Sequence, residues 1–149
     1  EGLAGLRDGQ LSVLREFSAE TPRMLLTLAK SDHIVWVDKV IRAAVFNENS
    51  LKPEELKDHT QCRLGLFLES KQGRQLSNMR RFDELYRQLH PKVHALGIEI
   101  YQMKAGSGSQ GLRGRVDSLL ELSGKVQEIL DELIEQLLEK ATGSGGAPR

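Results

Sequence analysis

"GLRGRVDSLLELSGKVQEILDELIEQLLEK", residues 111–140, decides the fold class. Leu112, Val116, Leu119, Ser123, Val126, Leu130, Leu133 and Leu137 recur at alternating steps of four and three. That is the period of one helix face, sustained over most of 30 positions. Leu120, Ile129, Ile134 and Leu138 widen the stripe beyond a narrow coiled-coil seam. A stripe this wide is expected to face both its own bundle and a second subunit.

Helical spacing continues upstream. Leu3, Leu6, Val13, Leu14 and Phe17 mark a short amphipathic segment. "SAETPRM" then reads as a break and restart, with Thr21 as cap and Pro22 in the first helical position. Met24, Leu25, Leu28, Ile34, Val35, Val37, Val40, Ile41 and Val45 carry a long helix to about Phe46. "NENSLKPEELKDH" is polar, contains Pro53 and reads as a loop with one helical turn. Asp58 and Gln61 have capping-box spacing, so a short helix is expected from about residue 59 with Cys62 in its first turn. A second long helix is expected over about 78–104, bent locally by Pro91. "AGSGSQG" reads as a flexible connector and "TGSGGAPR" as a tail or linker. The expectation is therefore all-α: an up-and-down bundle of about four helices, with a short extra helix carrying Cys62. Residues 1–20 would be a lead-in, 21–141 the bundle and 142–149 a flexible tail.

Composition narrows the function classes. The chain has 149 residues, 21 basic and 21 acidic, and no net charge. One domain of this size buries roughly 70% of the surface its unfolded chain exposes. Balanced charge gives no support to nucleic-acid binding, and no apolar run of 18 residues is present to cross a membrane. The start lacks Met and a secretory pattern, so a piece of a longer cytoplasmic protein is expected. The single cysteine makes no internal disulfide and directs attention to metal or thiol chemistry.

Four soft donors stand out: His33, Cys62, His90 and His94. "HPKVH", residues 90–94, projects two imidazoles from one helix face at i and i+4. An antiparallel bundle can bring His33 and Cys62 into the same layer. Three neutral imidazoles and a thiolate form a closed tetrahedral shell suited to zinc, with a net charge of about +1. Asp32 and Asp58 are candidate acceptors for ring N–H groups, though acidic residues near helix starts need no such role; Trp36 reads equally as a wall against water or as ordinary core packing, and His59 as a solvated outsider. A di-iron bundle is disfavoured because the histidine pair brings no inward carboxylates. No nucleophile–base set or phosphate-binding glycine loop points to an enzyme.

"HIVW" (33–36), "CRLGLF" (62–67) and "HPKVH" (90–94) resemble, in order, the signature of the chemoreceptor zinc-binding domain family. The gaps of 25 residues from Trp36 to Cys62 and 22 from Phe67 to His90 also fit. The likeness runs from about Leu26 to Leu137, with Phe67 standing where tryptophan is common. It implies a cytoplasmic homodimer binding one zinc per subunit through His33, Cys62, His90 and His94. The role implied is regulation of a bacterial signalling protein, most often a chemoreceptor and sometimes a diguanylate cyclase, without catalysis. Cys62 is then the thiolate ligand, kept deprotonated by its place near a helix start. Gly65, one turn on, would let the His90/His94 helix come close.

Overall fold

A computed structural model describes the backbone of residues 8–103 and 110–142 and the side chains of 21–103 and 110–140. Apart from their edges, the connector at 105–111 and the tail from 142 lie outside the described residues, as do the side chains of the lead-in. Every regular element among the described residues is helical: α1 (Asp8–Phe46), α2 (Arg63–Glu69), α3 (Lys71–Arg74), α4 (His90–Met103) and α5 (Leu112–Thr142).

Helix α1 buries Leu26, Ala29, His33, Val37, Val40 and Ala43, one face at steps of three and four. It runs unbroken through Pro22, which corrects the expected restart there. A proline removes only its own donor and crowds one carbonyl four residues back, so intact hydrogen bonds on both sides carry a 39-residue helix through it. The end is closed by Asn47 in the left-handed region (φ 57°), a conformation asparagine tolerates.

The chain returns along the bundle as an irregular leg. Leu51 anchors it in the core and Pro53–Glu55 forms one 3₁₀ turn. Asp58 does not open a helix. Its carboxylate accepts the Thr60 N–H at 2.8 Å in a local turn, and α2 starts at Arg63 with Cys62 itself as N-cap. Asp58 turns its carboxylate to Thr60, two residues on, and the 58–61 turn closes on its own Gln61 N–H to Asp58 carbonyl bond at 3.2 Å without continuing as a helix. Ser70 caps α3 through Gly73 N–H at 3.1 Å.

The next leg begins at Phe82, later than expected. Arg81 before it is left-handed (φ 66°), with its guanidinium 3.0 Å from Glu84 and 3.3 Å from Glu132 on α5. Residues Glu84–Leu89 form a π-helical segment that leads directly into α4. His90 N–H bonds the Leu85 carbonyl five residues back. Pro91 follows at once. Its missing donor and bulky ring are accommodated by this wider turn, so the local bend expected at Pro91 takes the form of a π segment.

Paired side chains fix the leg directions. Trp36 stacks on His94 and Asn49 bonds Tyr101, so α4 runs parallel to α1. Lys30 meets Asp131 at 2.7 Å and Arg115 meets Glu99 at 3.1 Å, so α5 is antiparallel to both. With the 47–81 leg descending between α1 and α4, the expected up-and-down bundle is realised in four legs. Leu119, Val126, Ile129, Leu130 and Leu133 of α5 form the centre of its core together with Leu64, Leu68, Leu85 and Ile100.

Candidate metal centre

His33, Cys62, His90 and His94 converge in one layer of the bundle, each offering a donor atom within 4.8 Å of the others. His33 Nε2 lies 3.1 Å from His90 Nε2 and 3.2 Å from His94 Nε2. Cys62 Sγ lies 3.2 Å from His90 Nε2 and 3.8 Å from His33 Nε2. A tetrahedral zinc shell with nitrogens at about 2.0–2.1 Å and sulfur at about 2.3 Å sets N···N near 3.3 Å and S···N near 3.6 Å. The spacings fit.

The ring tautomers make the stronger test. His33 Nδ1 donates to the Ala29 carbonyl at 2.8 Å, and His94 Nδ1 donates to the Lys57 carbonyl at 2.9 Å. A neutral imidazole carries one N–H, so both Nε2 atoms present lone pairs, and they face each other at 3.2 Å. Two acceptors held that close without a shared proton repel; a cation between them turns the repulsion into binding. For His33 and His94 the ring N–H acceptors are backbone carbonyls, not the candidates Asp32 and Asp58. Asp32 instead pairs with Arg63 at 3.1 Å.

Burial holds the rings in their ligand form. His33 is pushed below its ordinary value chiefly by desolvation. His94 falls to about 4, driven by burial against the opposing Lys57 carbonyl bond. His90 falls to about 2, through burial and then the neighbouring His33 and His94 rings. Cys62 moves the other way. Burial raises its thiol above the ordinary value, and the N–H groups of Gly65 and Leu64 offset only part of that. The helix start therefore does not by itself keep the sulfur deprotonated. Its S–H points to the His59 carbonyl at 3.7 Å, and a metal ion must displace that proton.

Gly65 has a different reason from the expected one. A Cβ there would lie 1.9 Å from the His59 carbonyl oxygen, so the glycine admits its own preceding loop, not the His90/His94 helix. Gly65→Ala must displace the segment that positions Cys62. We expect a loss of about 1–3 kcal/mol in urea unfolding, with weakened zinc binding; wild-type values for both would contradict this contact. His59 is half-buried rather than solvated, its ring edge-on to His90 at 5.7 Å between centroids, and it stands outside the donor group.

Trp36 lies against the layer. It stacks on His94 with centroids 4.9 Å apart and donates its indole N–H to the Glu55 carbonyl at 2.7 Å. The residue that sequence reasoning missed is Gly97, where a Cβ would come within 2.4 Å of Trp36 Cη2. Gly97 recurs one turn after Val93 on the buried face, a faint signal at best. Gly97→Ala should shift the emission of this single tryptophan and cost about 1–3 kcal/mol in thermal unfolding, because the indole must leave His94.

Residues 33–101 match the chemoreceptor zinc-binding domain family. The matched chemoreceptor zinc-binding domain segment opens on His33 and closes beyond His94, so it contains all four donors. It is narrower than the likeness read from 26 to 137. No curated protein and no solved structure matches the chain. No described helix is long and apolar enough to cross a membrane.

Proposed function

We propose that this chain is the zinc-binding regulatory domain of a cytoplasmic bacterial signalling protein, in first place a chemoreceptor. The observation that carries the reading is the pair of Nε2 lone pairs at 3.2 Å, fixed by Nδ1–H bonds to Ala29 and Lys57, with Cys62 Sγ and His90 Nε2 completing the shell. His33, Cys62, His90 and His94 would hold one zinc per subunit. Bound zinc would supply a divalent charge that ties α1, the 47–62 leg and α4 together. The four donors leave no open position for substrate, which favours regulation over catalysis.

Two inputs suit this donor set. Zinc can load or leave, tightening or loosening three legs at once. An oxidant of the hypochlorous-acid class can take the Cys62 thiolate to the sulfenic acid, with chloride leaving, and so remove a ligand. The second reading is a permanent zinc staple, favoured by the near-complete burial of His33, His90 and His94. A diguanylate cyclase is the alternative output module. A homodimer accords with Met24 and Leu28 exposed near the start of the described part of α1 and Leu120 and Leu138 exposed on α5.

Elemental assay of protein purified without chelators tests the reading: one zinc per chain is expected, and an empty or differently metallated site overturns it. Affinity near cellular free zinc and a thiol that reacts while metal is bound mark the sensor. Much tighter binding with an inert thiol marks the staple. Sedimentation equilibrium reads the dimer.

A further inference from the structure

A cleft of about 370 Å³ lies between α1 and the 54–57 segment. Its outer rim includes Ser31, Val35, Lys39 and Glu54, and its wall includes His33, Cys62 and His94, three of the four donor residues. A second cleft, of about 410 Å³, lies on the other flank beside His59, Gly65, Tyr86 and Arg87. It touches only His90 among the donors, and His90 Nε2 is turned away from it, toward Cys62 and His33. The two flanks are therefore not equivalent: one reaches the sulfur and two rings, the other reaches the back of one ring.

We propose that the first cleft is the doorway through which ions, small chelators and small thiol reagents reach the donor cluster. The proposal rests on the zinc reading above and adds the direction from which the site is served. Trp36 N–H holds the Glu55 carbonyl at 2.7 Å and Lys39 holds the Glu55 carboxylate at 3.0 Å, tying the 53–55 turn to α1 beside the opening. A space of this volume takes about ten waters, so hydrated ions and small reagents can enter without unfolding. Cys62 is the half-exposed member of the cluster, while the three histidines are buried. Attack on sulfur and exchange of metal thus share one path, and its width sets the rate of both without setting the equilibrium affinity.

Ser31 and Val35 are exposed on the rim, so a large side chain at either can lie across the opening without entering the core. Ser31→Trp is compared with Arg87→Trp, which obstructs the opposite flank from another exposed position. Two rates are read: iodoacetamide alkylation of Cys62 in metal-free protein, and zinc transfer from loaded protein to 4-(2-pyridylazo)resorcinol. Ser31→Trp should slow both by about tenfold, which corresponds to about 1.4 kcal/mol in barrier, with zinc affinity unchanged. Arg87→Trp should leave both rates near wild type. Val35→Trp repeats the test if Ser31→Trp does not fold. Wild-type rates in the Ser31 and Val35 variants overturn the doorway, as does equal slowing by both flanks or slowing by Arg87→Trp alone. If the wild-type protein binds no zinc, the zinc reading fails, and the alkylation rates still decide the doorway on their own.

Discussion

Cys62→Ser should lower zinc affinity by more than about 100-fold while leaving the metal-free fold nearly as stable as wild type. Removing groups that merely orient a ligand costs about 10–100-fold, so loss of the only sulfur donor must exceed that range. The fold is spared because Cys62 has a second duty that serine performs better. Its Sγ accepts the Gly65 N–H at 3.3 Å as the N-cap of α2, and serine is among the preferred capping residues. Sulfur and oxygen thus separate the two roles at one position: capping survives, soft-metal coordination does not. A competition titration and a urea melt on the same preparation read both. Unchanged affinity would remove Cys62 from the shell, and large destabilisation of the metal-free variant would mean that its burial matters more than its bonds.

The parts of this architecture legible in the sequence are those written in short-range periodicity. The steps of four and three in α5 place Leu119, Val126, Leu130 and Leu133 in the core as expected. The i,i+4 spacing of His90 and His94 survives because the perturbation from Pro91 is absorbed upstream, in the π segment, and not between the two rings. His33 and Cys62 were reachable only through the combined pattern of three blocks, since a lone histidine on an apolar helix face is most often a packed, hydrogen-bonded core residue.

What stayed hidden depends on the backbone or on the third dimension. The Ala29 and Lys57 carbonyls fix the imidazole tautomers, and a carbonyl has no letter of its own in a sequence. The close approach of Gly97 to Trp36 joins residues on two different legs. Cys62 looked activated by its place at a helix start. The field of a seven-residue helix is outweighed by desolvation, an effect that depends on how many atoms from other legs surround the sulfur. Pro22 shows the converse. A strong local signal for a break is overridden where the helix on either side is already supported.

The same burial predicts acid lability of the metal-free domain. An unfolded histidine protonates around pH 6.5, whereas folded His94 does so at about 4 and folded His90 at about 2. Their folded values are depressed, so the stability they contribute is present above pH 6.5 and is lost as pH falls toward those lower values. Within that window the unfolded state binds more protons than the native state, and each such histidine costs about 1.4 kcal/mol per pH unit. Two of them remove about 5 kcal/mol between pH 6.5 and 4.5, comparable to the whole stability of a small domain. His33, shifted the same way, adds to the loss. Urea unfolding of chelator-stripped protein at pH 7, 6 and 5 should therefore show a steep decline, reduced by about one proton's slope in His94→Gln. Carboxylates such as Glu84 act in a lower window, because their folded values lie below the ordinary carboxylate range, and they do not mimic this effect. A flat profile from pH 7 to 5 would mean that the three rings take up protons in the folded state. The opposed lone pairs at 3.2 Å would then be relieved by a shared proton instead of a metal.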